Sequence, residues 1–250
     1  MTPMTGHDLL RDKVVVVTAA AGTGIGSATA KRCLEEGAKV VISDWHERRL
    51  KETHEALGTD HAIPCDVTDE QQVQALIDDT VERYGRIDVM VNNAGLGGEK
   101  SVLDMADDEW SRVLDVTLNG TFRCTRAALR QMVVQRSGVV VNNSSVIGWR
   151  AQKGQAHYAA AKAGVMALTR CAAMDVAEHG IRVNAVAPSL AAHPFLTKVT
   201  SEELLTELAS REAFGRAAEP WEVANVIVFL ASDYSTYLTG EVVSVSSQHP

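Results

Sequence analysis

The 250-residue chain lacks the features that mark a nucleic-acid binder, a membrane protein or a disulfide-built secreted domain. Basic residues are outnumbered, 24 Lys and Arg against 32 Asp and Glu, so the formal charge is −8. A surface made to hold a phosphate backbone is normally basic, and this balance counts against nucleic-acid partners. No apolar run approaches the roughly 18 residues of a membrane span. Met1–Lys13 has no apolar core of signal-peptide length and mixes acidic with basic side chains. The four cysteines, Cys33, Cys65, Cys124 and Cys171, form no C-x-x-C pair, and no histidine cluster has metal-ligand spacing. They read as reduced, mostly buried thiols. Repeats, linkers and low-complexity stretches are missing too. A cytoplasmic protein with no metal and a single domain over residues 1–250 is what these absences leave.

What is present is a regular alternation of short β-branched runs with helical stretches. Val14–Thr18 fits a strand buried on both faces. Helical spacing from about Ile25 to Glu36 stops before Gly37, a C-terminal glycine signal. Val40–Asp44 is the next strand, followed by a polar helix to Leu57; Ala62–Cys65 and Ile87–Asn92 flank a helix that Asp69 is placed to cap. A long helical stretch runs from about Asp107 to Gln135, then a strand at Val139–Asn143 and a second long helix at Tyr158–Glu178. Val183–Ala187 is a strand stopped by Pro188; a helix near Glu219–Ser232 and a strand at Val242–Ser246 close the chain. With hydrophobic types at 46%, one sizeable core can be buried. This order predicts an α/β fold: one doubly wound Rossmann domain, a parallel sheet of about seven strands and helices on both faces. Ser189–Gly215 breaks the rhythm. A long irregular insertion of that kind is a candidate substrate lid.

After the first strand comes Thr18-Ala19-Ala20-Ala21-Gly22-Thr23-Gly24-Ile25-Gly26, opening a helix. Glycines there let the backbone approach a pyrophosphate seated on the helix start. Asp44 ends the second strand 18 residues beyond Gly26, near the offset of a ribose-binding carboxylate, with Trp45 beside it. A carboxylate there accepts from both ribose hydroxyls and repels a 2′-phosphate, so NAD is favoured over NADP. Arg48 and Arg49 argue the other way, unless they form a solvated helix face.

Tyr158 and Lys162 are four apart at a helix start and share one face. An ammonium group beside a phenol favours the phenolate, so Lys162 is expected to draw the Tyr158 pKa down from its usual value of about 10. Ser145 ends the preceding strand 13 residues earlier, where its hydroxyl can bind a substrate oxygen.

Together with Asp66-Val67, Asn92-Asn93-Ala94-Gly95, Ser144-Ser145 and Asn184-Ala185-Val186-Ala187-Pro188, these pieces resemble the classical short-chain dehydrogenase/reductase family from Lys13 to about Val245. The resemblance implies an NAD-dependent oxidoreductase moving hydride between a secondary alcohol and a ketone. It makes Tyr158 the general acid/base, Lys162 its modulator and ribose ligand, and Ser145 the donor to the substrate oxygen. It places Gly22, Thr23, Gly24, Ile25, Gly26, Asp44, Trp45, Asp66, Val67, Asn93, Ala94, Gly95 and Ala191 around the cofactor, with a homotetramer as the usual assembly.

The chain also departs from that family. Ala19 stands where a glycine is usual, and the turn is one residue longer. Thr117 holds the place of a relay asparagine, with Asn119 about 200° away on the helix. His193 replaces a threonine that holds the nicotinamide amide; it can donate there, contact substrate or lie on the surface. The chain ends Ser246-Ser247-Gln248-His249-Pro250 in place of a glycine pair.

Around the expected substrate side, Trp149, Phe195 and Phe214 offer apolar surface, and Arg150, Lys153 and Lys198 positive charge. That suits a bulky apolar substrate with an acidic handle, such as an acyl-CoA. The glycine turn, Ala213–Trp221 and the last four residues resemble actinobacterial dehydrogenases of steroid-ring catabolism. That resemblance implies a CoA-linked bicyclic steroid remnant as substrate. Two alternatives stand beside it: reduction of a 3-oxoacyl thioester on ACP or CoA, and a non-catalytic NAD(H)-binding sensor or scaffold.

Overall fold

A computed structural model describes residues 6–192 and 202–247. Its sheet contains β1 (Val14–Thr18), β2 (Lys39–Asp44), β3 (His61–Pro64), β4 (Val89–Asn92), β5 (Gly138–Asn143), β6 (Ile181–Pro188) and β7 (Val242–Val245). They run parallel in the order β3-β2-β1-β4-β5-β6-β7. The helices are α1 (Ile25–Glu35), α2 (Glu47–Leu57), α3 (Glu70–Tyr84), α4 (Asp107–Leu114), α5 (Gly120–Gln135), α6 (Ala156–Val176), α7 (Glu202–Arg211) and α8 (Pro220–Ala231).

The valine run of β1 explains why the sheet sits in the middle. Val15 and Val17 point to one face, against Ala30 and Cys33 of α1 and Val223 and Ile227 of α8. Val16 points to the other, against Leu76 of α3, Cys124 of α5 and Ala173 of α6. Burying such a side chain contributes roughly 1.5–3 kcal/mol, and a strand apolar on both faces is stable only between two helix layers. Three cysteines pack into this core and Cys171 is exposed; burial pushes the Cys33 thiol up to about 12 and Cys65 to about 11.

Asp69 caps α3 as its position predicts, accepting from Gln71 N at 2.8 Å and Gln72 N at 3.3 Å. Four local readings change. The stretch from Asp107 to Gln135 is interrupted by a π-helical turn at Asp115–Asn119. The helix expected at Tyr158 begins two residues earlier, at Ala156, and passes through a tighter turn, Ala177–His179, to Gly180 at φ 71°. Pro188 is the last residue of β6, paired with Val245, rather than a stop before the strand's end. The irregular insertion contains a helix, α7; residues 193–201 of that insertion lie outside the described residues.

Chain direction across the sheet reverses at β1: β2 and β3 lie to one side, β4 to β7 to the other. In such sheets the crevice at the carboxyl ends of the strands flanking that switch is where ligands bind.

Candidate active site

The turn after β1 is held from behind and open in front. Ala19 takes φ 49°, a left-handed conformation that favours glycine. Its carbonyl accepts from Asn93 Nδ2 at 3.0 Å. Ala21 N donates to Asp44 Oδ2 at 3.2 Å, and Gly22 N to Thr53 Oγ1 at 2.9 Å, tying the turn to β2 and α2. A Cβ on Gly26 would lie 2.4 Å from Ala19 O and 2.5 Å from Asn93 Nδ2, so no side chain fits. A Cβ on Gly24 would meet nothing within 4 Å. Gly24 precedes α1 without a side-chain cap, leaving its first-turn N–H groups to an outside acceptor. A diphosphate fits this cradle.

Asp44 is buried, and its carboxylate is oriented by Ala21 N and by His46 N at 2.9 Å. A carboxylate has about four lone-pair sites, so two stay available to ribose hydroxyls. Trp45 beside it is 69% exposed. Arg48 and Arg49 point to solvent, with Arg48 Nε 3.8 Å from Glu52: a solvated helix face. Asp66 Oδ1 accepts from the backbone and hydroxyl of Thr68, and Val67 packs so closely on α5 that a Cβ on Gly120 would fall 2.6 Å from it.

Sequence reasoning missed the polar lattice that aligns the strand ends. Thr18 Oγ1 accepts from Asn93 N at 3.0 Å and Ala94 N at 3.2 Å. Asn143 Nδ2 donates to Asn93 Oδ1 at 2.9 Å. One layer down, Asn92 Nδ2 donates to Asn142 Oδ1 at 2.8 Å, and Asn142 Nδ2 to Thr169 Oγ1 at 2.9 Å. The signal was there: two Asn-Asn pairs, each ending an apolar strand.

Ser145, Tyr158 and Lys162 come together across this lattice. The Ser145 hydroxyl is buried, donates to Pro188 O at 3.4 Å and lies within hydrogen-bonding reach of the Tyr158 phenol. Lys162 Nζ sits 5.5 Å from the centroid of the Tyr158 ring and donates to Asn143 O at 2.6 Å. Burial pushes Tyr158 up to about 12, with the Ser145 hydrogen bond pulling the other way, and lowers Lys162 to about 8. This reverses the expected direction for Tyr158: loss of solvation sets the sign, and the Ser145 hydrogen bond only partly offsets it. Burial thus favours the neutral phenol and loosens the lysine's hold on its proton, though with a pKa of about 8 the ammonium still predominates at neutral pH.

Thr117 lies in the π turn, buried, and its hydroxyl is used twice by one residue. It accepts from Leu96 N at 2.9 Å and donates to Leu96 O at 3.1 Å. It therefore pins the 95–97 loop; Gly95 lies between it and Lys162, where a Cβ would come 3.4 Å from Nζ. Asn119 is exposed and bonded to Asp115, turned away as its spacing predicted.

On the substrate side, Ala191 is buried and bridges to Ala218. Trp149 and Phe214 are exposed. His193, Phe195, Lys198 and the last three residues lie outside the described residues. A separate cavity of about 570 Å³, lined by Lys13, Arg86, Asp88 and Gly138 among others, opens at the other end of the sheet and takes no part in this cluster. Among the described residues no helix is long and apolar enough to cross a membrane, and no three His, Cys, Asp or Glu side chains gather as a metal cluster.

Comparison with known proteins agrees with the fold. A family model described as enoyl-(acyl carrier protein) reductase matches residues 19–247. The (5R,7aS)-5-hydroxy-7a-methyl-1-oxo-2,3,5,6,7,7a-hexahydro-1H-indene-carboxyl-CoA reductase of Mycobacterium tuberculosis is 66% identical, over 99% of this chain and 97% of its own. The cis-4-hydroxycyclohexanecarboxylate dehydrogenase of Sinomonas cyclohexanicum is 43% identical over 94% and 95%. The crystal structure of a short chain dehydrogenase from Mycobacterium smegmatis superposes with a TM-score of 0.89 at 58% identity, covering 100% of this chain and 98% of that one.

Proposed function

The chain belongs to the short-chain dehydrogenase/reductase family, and on that premise we propose that it interconverts a ring alcohol and its ketone on a CoA-linked bicyclic steroid remnant, using NAD(H). The observation that carries the reading is the convergence of Ser145, Tyr158 and Lys162 beside an open glycine cradle. The mycobacterial reductase, at 66% identity, supports the substrate class, and the cyclohexane dehydrogenase supports a ring alcohol.

The cradle from Gly22 to Gly26, with the first turn of α1, would hold the pyrophosphate, and Asp44 the adenosine ribose. The buried Asp44 charge opposes a 2′-phosphate, and exposed Arg48 and Arg49 do not cancel it, which supports NAD. A bound nicotinamide supplies the hydride donor or acceptor.

The protein's own residues handle the proton. In reduction the Tyr158 phenol donates its proton to the carbonyl oxygen, which the Ser145 hydroxyl also binds. In oxidation the phenolate takes that proton back. Burial holds Tyr158 protonated, the form a general acid needs. Lys162 is still mostly charged at neutral pH and favours the phenolate when the proton leaves. Thr117 and Asn143 fix the loop and the lysine that border this step. The assembly we expect is a cytoplasmic homotetramer, which sedimentation would read directly.

The test is an assay of NAD and NADP, separately, against bicyclic ring-alcohol CoA thioesters and 3-hydroxyacyl thioesters, following reduced cofactor by absorbance. Ring-alcohol turnover with NAD is expected. Tyr158→Phe should lower it at least ~10³-fold while NAD binding persists. Turnover of 3-hydroxyacyl thioesters alone would overturn the substrate assignment, and NAD binding without any turnover would favour a sensor.

A further inference from the structure

The tail that departs from the family pattern is engaged with the end of α7. Glu212, the residue after that helix, is 4% exposed and turned inward, although Arg211 before it faces solvent. Its Oε2 accepts from Ser247 N at 3.2 Å and from Ser247 Oγ at 2.8 Å. In return Ser247 O accepts from Ala213 N at 3.1 Å, and Ser247 Oγ accepts from Phe214 N at 3.5 Å. One residue of the tail therefore makes four hydrogen bonds with a three-residue turn, closed on its far side by Gly215 N donating to Glu212 O at 2.8 Å. Hydrogen bonds to a carboxylate are shorter and stronger than neutral ones, so the contact has a fixed geometry. A glycine at 247 could make neither hydroxyl bond.

The position of this contact ties it to the site. Ser247 lies two residues past Val245, which pairs with Pro188, and Ser189 N donates to Val245 O at 3.1 Å. The Pro188 carbonyl is the one that accepts from Ser145 Oγ. Beyond the turn, Ala218 N donates to Leu190 O, and Ala192 N to Ala218 O, both at 2.8 Å. The segment from Glu212 to Ala218 is thus strapped to the carboxyl ends of β6 and β7, beside the reacting groups. Among the described residues no ion pair includes Glu212. A buried carboxylate without a countercharge is costly, and here its bonds all serve the fixing of one helix end.

We propose that Glu212 and Ser247 form a latch that fixes the turn following α7 at the carboxyl ends of β6 and β7, on the substrate side of the cleft, and so determines how bulky a ring substrate is accepted. Both are positioning residues acting through that turn, and the proposal rests on the reading that the cleft takes a ring alcohol or ketone. Breaking the latch frees the helix end without touching Ser145, Tyr158, Lys162 or the glycine cradle.

The experiment compares wild type with Ser247→Ala, Glu212→Ala and Glu212→Gln. Steady-state kinetics would use a bicyclic ring-alcohol CoA thioester and a simple cyclohexanol, alongside NAD binding and amide hydrogen exchange over residues 202–215. Ser247→Ala and Glu212→Ala should raise exchange in 202–215 at least ~10-fold relative to the sheet. They should also raise KM for the bicyclic substrate at least ~5-fold, while kcat, cyclohexanol KM and NAD affinity stay within about twofold. Glu212→Gln keeps a carbonyl acceptor and should restore most of both readouts. Unchanged exchange would overturn the latch whether or not the bicyclic substrate is turned over. Raised exchange with unchanged KM on whatever ring alcohol the enzyme does use would overturn its role in specificity. Failure of wild type on every bicyclic substrate, with the exchange response intact, would overturn the substrate reading and not the latch.

Discussion

Replacing Lys162 with methionine should stabilise the protein while ending its chemistry. Lys162 is 3% exposed, and burial lowers its pKa from 10.5 to about 8. That difference of about 2.5 units, at 1.36 kcal/mol each, means the charged lysine costs the fold about 3 kcal/mol at pH 7. Methionine has a similar reach and no charge. It forfeits the bond from Nζ to Asn143 O, worth about 1 kcal/mol. The expected net gain is about 2 kcal/mol, or roughly 4–8 °C in Tm for a chain of this size. The pH dependence follows from linkage. Between about pH 8 and 10.5 the unfolded chain holds a proton on this lysine that the folded chain has released, so wild-type stability rises through that window. The advantage of Lys162→Met should therefore shrink across it and reverse slightly above it. Urea unfolding without cofactor, at matched protein concentration from pH 7 to 10.5, measures this; other titrations cancel in the difference. A variant less stable than wild type at pH 7, or a gap that does not change with pH, would refute the reasoning.

Ala19→Gly should raise stability by about 0.5–1 kcal/mol in a denaturant melt, because φ 49° strains alanine and suits glycine. Gly26→Ala should cost about 1–3 kcal/mol and weaken NAD binding at least ~10-fold by calorimetry, since its Cβ would strike Ala19 O and Asn93. Asp44→Ala removes two candidate charged hydrogen bonds to ribose. It should lower kcat/KM for NAD by about 30-fold and shift the NAD-to-NADP ratio toward NADP, as paired kinetics would measure.

The sheet was legible because its strands are buried on both faces and therefore apolar throughout, as in Val14-Val15-Val16-Val17. The site residues could be named because their spacing follows from the helix: Tyr158 and Lys162 stand one turn apart whatever surrounds them. What sequence spacing does not carry is how each polar group is spent. Nothing in the order of residues says that both bonding capacities of the Thr117 hydroxyl go to Leu96, or that Asn143 holds the lysine through its carbonyl rather than its side chain. The helix Glu202–Arg211 was passed over because its few apolar positions, Leu204 and Leu205 then Leu208, read as part of an irregular segment.

The direction of the Tyr158 shift failed for a related reason. Proximity to a cation is visible as i, i+4 spacing, but depth of burial is a property of everything packed around the pair, and burial decides the sign. The departures from the family pattern obey the same logic. Ala19, Thr117 and Ser247 are all engaged by the scaffold: the first pinned by Asn93, the second tied to Leu96, the third bonded to Glu212. Each joins the reacting groups only through intervening residues, and none replaces Ser145, Tyr158 or Lys162. Substitutions arranged in that way alter the shape and rigidity of the cleft while leaving the proton-transfer groups in place. On the proposed reading, these three departures bear on which substrate fits rather than on the proton transfer itself.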